Sequence, residues 1–314
     1  MKVINTTAFA LVCLLAQAAS AKKNFDSLDH ASGHGNANAT TSVSFDPAGA
    51  KMQVCPTGDC SNGKFMRLTV LSLTELTSTG AEVAKNKVNN FTATSDWTDI
   101  VTVMVGGVNV SSTTFVSKLT VGSTSVAFNL TASIPQANWT VTYGSQAFIV
   151  PAGALKFTVD VGKWPFDTTT NTLALALKLD AKGPNGKAVG RPEKKAKTQG
   201  TKGNSTIDRV DMGESMFMDA PSIVFIDGKE ANVTNSSVIQ VGSDSAFQWV
   251  FPHFLDTLHY DPVVGDSSTT TTTTTSSSSS SGAATTTPAA SSASKLSLSS
   301  LVAAGLVALA YSFF

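Results

Sequence analysis

Apolar and polar residues alternate at a period of two through most of the chain between residues 42 and 262. A strand sends successive side chains to opposite faces, so this alternation predicts strands with one face against a core. Residues 65–76, 115–121, 125–132 and 138–143 follow the pattern, and 100–105 is a β-branched run closed by Gly106-Gly107. Residues 146–150 lead into Pro151-Ala152-Gly153, a turn. Beyond it, Leu155, Phe157, Val159 and Val161 share one face, and Lys156, Thr158 and Asp160 share the other. Leu173, Leu175, Leu177 and Leu179 repeat the pattern. Leu and Ala favour helices, but the strict alternation, with Lys178 and Asp180 on the polar side, predicts a strand. Further strands are expected at 222–226, 238–241 and 246–251, and no stretch sustains helical apolar spacing. About a dozen short strands with turn signals roughly every ten residues predict an all-β fold, an antiparallel β-sandwich built as one large or two packed sandwiches. Residues 182–203 break the pattern: they hold no apolar run and are rich in Gly, Pro and Lys, which predicts a disordered basic loop and a candidate internal boundary.

Both ends depart from the body. Lys2, an apolar stretch over 8–16 and the small residues Ala19-Ser20-Ala21 have the layout of a signal peptide covering 1–21. Residues 22–41 then form a polar arm expected to be flexible. Residues 301–314 are uncharged and mostly apolar, shorter than the about 20 residues a spanning helix needs. Small residues at 289–293, a polar spacer and this tail match a glycosylphosphatidylinositol signal, with Ser291 or Ser292 as the attachment residue and 294–314 removed. A short tail-anchored helix is the competing reading. Residues 263–293, dominated by Ser and Thr from 267 onward, carry too little apolar surface to offset ordering entropy and predict a disordered stalk suited to O-glycosylation.

The charges balance, with 22 Lys+Arg against 22 Asp+Glu. Losing Lys2 and Lys295 with the two ends leaves a slight acidic excess. Residues 182–203 run the other way, with Lys182, Lys187, Arg191, Lys194, Lys195, Lys197 and Lys202 against Glu193 alone. Lys187, Arg191, Lys194, Lys195 and Lys197 are therefore the candidate polyanion-binding residues, with acidic polysaccharide or another surface protein as partner. Nothing in the chain points to nucleic acid. Cys13 leaves with the signal, and Cys55-Pro-Thr-Gly-Asp-Cys60 is expected to close as a disulfide in an oxidising compartment. Asn38, Asn90, Asn109, Asn129, Asn138, Asn204, Asn232 and Asn235 head Asn-x-Ser/Thr sequons. Around Asn129 and Asn138 the alternation places the asparagine opposite its apolar neighbours, which predicts glycans directed at solvent.

The segment from Val150 to Phe166, which runs Pro-Ala-Gly and ends Trp164-Pro165-Phe166, resembles a module of poorly characterised surface proteins of protists, notably oomycete-like organisms. Asp211-Met212-Gly213-Glu214 and Leu258-His259-Tyr260-Asp261-Pro262 fit the same pattern, which spans 65–262. The resemblance implies an extracellular β module and carries no catalytic residues with it. Physically, Trp164 and Phe166 are expected as core anchors, with Pro165 ending the ladder because it lacks a donor; a sugar-stacking Trp164 is the sharper alternative.

Enzymatic constellations are sparse. His30 and His34 lie in the arm, and their spacing suits only a weak metal site. His253 and His259 stand near Asp256 and Asp261, but no Gly-x-Ser-x-Gly elbow accompanies them. Glu75, Glu82, Glu193, Glu214 and Glu230 form no recognisable hydrolytic pair. Asp96 with Asp99, and Asp208 with Asp211, lack the dense oxygen spacing of a calcium loop. No cofactor or metal is expected. The expectation is a non-catalytic, glycolipid-anchored glycoprotein at the extracellular face of the plasma membrane or in the cell wall. The alternatives are an anchored carbohydrate-active enzyme and a receptor-like recognition module.

Overall fold

The computed structural model describes residues 24–26, 41–46, 49–60, 63–91, 97–187, 189, 193–200, 204–241 and 244–267. Its strands, in chain order, are β1 (Asn24–Asp26), β2 (Ser42–Phe45), β3 (Lys51–Cys55), β4 (Phe65–Leu76), β5 (Glu82–Val88), β6 (Val101–Val105), β7 (Val108–Val121), β8 (Thr124–Pro135), β9 (Trp139–Tyr143), β10 (Gln146–Val150), β11 (Leu155–Val161), β12 (Thr172–Lys182), β13 (Glu193–Gly200), β14 (Asn204–Gly213), β15 (Met216–Pro221), β16 (Ile223–Ile226), β17 (Lys229–Asn232), β18 (Asn235–Val241), β19 (Asp244–Phe251), β20 (Leu258–Tyr260) and β21 (Val263–Asp266).

These strands form two large antiparallel sheets and a separate hairpin. The first sheet runs β1-β2-β3-β4-β12-β19-β18, with β5 on β4. The second runs β13-β14-β15-β21-β11-β20-β16-β17, and β8, β7 and β6 extend it from β11. The hairpin β9–β10 belongs to neither. One core lies between the large sheets. Leu68, Leu175, Leu177, Phe247 and Trp249 enter it from the first sheet, and Phe115, Phe128, Phe157, Val159 and Tyr260 from the second. The alternating leucines of 173–179 are a strand, paired on both sides by β4 and β19. The local helix preference of Leu and Ala yields to a position between two hydrogen-bonding neighbours.

Several boundaries differ from those expected. Residues 182–203 do not separate two cores, because the single core takes Leu179 and Val210 from either side of them. Nor are they a loop throughout: Glu193–Gly200 is strand β13, paired with β14 from Glu193↔Asp211 to Gly200↔Asn204. A Lys-rich strand suits a sheet edge, where charge discourages further pairing. The body does not stop at Pro262. Val263 and Val264 are buried and β21 lies inside the second sheet, between β15 and β11. Two β-branched residues after a proline were too short a signal to extend the body. Residues 24–26 of the expected flexible arm pair with β2. The signal segment, residues 22–23 and 27–40 of the arm with His30, His34 and Asn38, and residues 268–314 with Ser291 and Ser292 lie outside the described residues, while Thr41 is described and buried. Among the described residues, no helix is long and apolar enough to cross a membrane.

Candidate functional site

The richest polar cluster sits on the outward face of the second sheet, beneath the hairpin β9–β10. Its geometry follows from strand register. On β11, positions 156, 158 and 160 share a face. Asp160 pairs with His259 on β20, so Asp261, two residues on, shares the face of His259 and falls beside Thr158. Pro262 has no N–H, and the ladder breaks there into β20 and β21. Its carbonyl accepts the Phe157 N–H at 2.9 Å.

These five side chains form one network. His259 Nδ1 lies 2.7 Å from Asp160 Oδ1, and Nε2 lies 3.4 Å from Asp261 Oδ2. Lys156 Nζ meets Asp261 Oδ1 at 2.7 Å and donates to Thr158 Oγ1 at 2.8 Å. The Thr158 hydroxyl donates in turn to Asp261 Oδ1 at 2.5 Å. Lys156, Thr158 and Asp261 are buried, so removing one charge strands the other.

The protonation states follow. Burial works against the His259 imidazolium, but Asp160 and Asp261 on its two nitrogens outweigh burial and raise its pKa to about 9. Burial also works against the Asp261 carboxylate, but His259 and Lys156 bring its pKa down to about 2. At neutral pH the His259 imidazolium thus lies against the Asp261 carboxylate. A general base needs a free nitrogen and a pKa near the working pH; His259 has a carboxylate at each nitrogen.

Tyr143, at the end of β9, roofs the cluster. Burial holds its phenol well above the ordinary range, so it stays a donor, and its hydroxyl donates to the His259 carbonyl at 2.8 Å. Its ring meets Phe225 edge-on at 5.0 Å and lies 5.9 Å from the His259 ring. Lys156 Nζ lies 6.0 Å from the Trp139 ring centroid. The hairpin is held by its own apolar cluster of Val141, Tyr143, Phe148 and Val150 against Ile223 and Val263. At its turn, Glu230 accepts the Ser145 N–H at 2.5 Å and the Ser145 hydroxyl at 2.6 Å. Gly144 there has φ +60°, and a Cβ would run into the Glu230 carboxylate. A cavity of about 410 Å³ opens beside this arrangement, lined by Tyr143, Phe225, Thr257 and His259 among others.

The residues singled out from sequence are dispersed around this site. Cys55 and Cys60 are joined, with Cα atoms 5.3 Å apart, and Gly58 supplies the turn at φ +78°. Asn90, Asn138, Asn232 and Asn235 are exposed, and Asn109 and Asn129 half-buried. Asn138 Oδ1 accepts the Ala152 N–H at 3.0 Å, which leaves its amide nitrogen for modification. Lys187 is exposed after a short 3-10 turn; Lys194, Lys195 and Lys197 lie on β13 and Asn204 opens β14, while Arg191 lies outside the described residues. Trp164 is 2 % exposed, so the sugar-stacking alternative is ruled out and the core-anchor reading holds. The Phe166 and His253 rings meet at a tilt, with centroids 4.6 Å apart. Asp208 accepts from Ser236 and Asp211 accepts the Gly213 N–H at 2.9 Å. Among the described residues, no three His, Cys, Asp or Glu side chains gather so as to hold a metal ion. Glu75 is buried and accepts from Asn86, Asn171 and the Asp167 N–H.

Sequence reasoning found both segments of the cluster, 150–166 and 258–262, but not their meeting. The signal was Lys-x-Thr-x-Asp on the polar side of one strand and His-x-Asp ahead of a proline on another. Comparison of the chain with protein-family models and with curated proteins returns no match.

Proposed function

We propose that this protein is a non-catalytic surface glycoprotein, a structural or adhesive component displayed outside the cell on a glycolipid anchor. One observation carries the reading: none of the six sequon asparagines whose side chains are described is buried, on an all-β body that also holds a disulfide. A glycan needs solvent, and a disulfide suits an oxidising compartment. The polar cluster supports the non-catalytic part, since its charges are spent on one another and on joining β11, β20 and the hairpin.

The test is treatment of intact cells with phosphatidylinositol-specific phospholipase C, followed by glycosidase digestion of the released material. Release together with a drop in apparent mass is expected. Retention, with a control anchored protein released, rejects the anchor; release without carbohydrate rejects the glycoprotein.

A second reading, a recognition module, is favoured by the cavity beside Tyr143, Phe225 and His259. Aromatic rings beside hydroxyls suit a small polar ligand. Chemical-shift changes at Tyr143 and Thr257 on titration with neutral oligosaccharides would support it, and their absence would remove it.

A further inference from the structure

Strand β6 is an edge built differently from the others. Among the described strands it pairs only with β7, so its far side offers an open row of N–H and C=O groups. Its sequence, Val101-Thr102-Val103-Met104-Val105, has no charge and no proline. All five residues are exposed, with Val101 at 56 %, Val103 at 49 % and Met104 at 73 %. Proteins ordinarily blunt such edges with charge. Strands β5, β13 and β17 carry Lys or Glu, and β18 carries Asn, Ser and Gln. No comparable residue stands within β6 itself.

We propose that the free edge of β6 pairs antiparallel with β6 of a second copy of this chain, joining two second sheets across a two-fold axis. The strand reads nearly the same in both directions. With Val103 on the axis, Val101 falls opposite Val105 of the second copy, and Thr102 opposite Met104. Paired residues share a face, so the valines meet on one face and Met104 meets Thr102 on the other. Val103 is already paired with Val110 on β7, so the valine row continues through the axis. An uncharged strand meets its twin without like-charge cost, which a Lys-bearing edge would incur. A two-fold contact requires this kind of self-complementarity. A lipid surface is the less fitting occupant, because hydrocarbon cannot satisfy the open N–H and C=O groups of the edge. Asn109 pairs with Met104, so a glycan there stands on the Met104 face one strand in from the open edge, and the valine face is clear of it.

A five-residue edge buries less than the about 1,200 Å² of a standard interface, so the dimer belongs to the weak, concentration-dependent class. The experiment is sedimentation equilibrium of the purified secreted protein, with its glycans, over a range of concentrations. The weight-average mass is expected to rise toward twice the monomer value. Val103→Lys and Val103→Glu each set like charges across the axis and are expected to weaken association roughly ten-fold or more, with melting temperature unchanged. Mixing the two variants is expected to restore it. Val103→Cys is expected to form a disulfide-linked dimer, an independent readout should a charged variant fold poorly. A wild-type protein that stays monomeric throughout, or a Val103→Lys protein that associates like wild type, overturns the proposal. So does wild-type protein that floats with phosphatidylcholine vesicles while remaining monomeric without them.

Discussion

Two hairpins with similar sequences meet opposite fates. Both β6–β7 and β9–β10 are rich in β-branched residues and turn at glycine, yet β9–β10 is folded down as a third layer and β6 stands exposed. The difference lies in what each apolar face meets. In β9 and β10, Val141, Tyr143, Phe148 and Val150 point to the sheet and pack against Ile223 and Val263, with Thr140, Thr142 and the exposed Ile149 between them. In β6, Val101, Val103 and Val105 line one side and Thr102 and Met104 the other, and all five residues are exposed. The lesson is that an alternating apolar face does not by itself predict burial; it is buried only where another element packs against it.

The sharpest contrast comes from truncating one side chain in each hairpin. Tyr143→Ala removes a buried ring and a hydrogen bond to the His259 carbonyl, and should cost about 4 kcal/mol in a urea unfolding experiment. Met104→Ala should change stability by no more than about 0.5 kcal/mol. Equal effects would mean that β9–β10 is not a packed layer. Next in size, Asp261→Ala leaves Lys156 buried without its anion and should cost about 3 kcal/mol. A loss close to zero would show that the network under the hairpin contributes nothing.

The turns separate the hairpins further. Gly106 has φ +58° with open space around it, so Gly106→Ala should lose only the about 1 kcal/mol of left-handed strain. Gly144→Ala adds a collision with Glu230 and should lose more; thermal melting of the pair checks the order. The smallest effect is in pH. The folded pKa of His259, about 9, lies above its ordinary 6.5, so the imidazolium's stabilisation is complete below about pH 6.5 and is lost as pH rises through about 9. The His259 side chain is 42 % exposed, so water screens much of it. Asp261 acts in the opposite sense: its stabilisation is present above its ordinary 3.8 and is lost as pH falls through about 2. Melting curves of wild type and His259→Asn from pH 6 to 10 should converge at the alkaline end. Parallel curves would remove His259 from the network.

Local alternation revealed the long strands, because burial of one face leaves a period of two in the chain. It placed Leu155–Val161 and 173–179 on strands and set Lys156, Thr158 and Asp160 on one side. What it missed were short or two-sided elements such as β15, where Met216–Pro221 is buried throughout, and β21, where only two valines follow Pro262. Such strands lie inside a sheet and lack a polar face to alternate with. The candidate site was half legible for a related reason. Each strand's polar side is a local property, whereas the pairing Asp160↔His259 joins residues 99 apart in sequence. Register across that distance is set by the core residues between the sheets, not by the five polar groups themselves. The Lys-rich segment 193–200 shows no apolar alternation because an edge strand needs no apolar face.

The most direct test of the cluster as a closed ion network is a nitrogen-15 NMR titration of the His259 ring, assigned with His259→Asn. The account predicts both ring nitrogens protonated at neutral pH and a titration midpoint near 9. A midpoint near the ordinary 6.5, with one nitrogen unprotonated at neutral pH, would contradict it and reopen the site to acid–base chemistry.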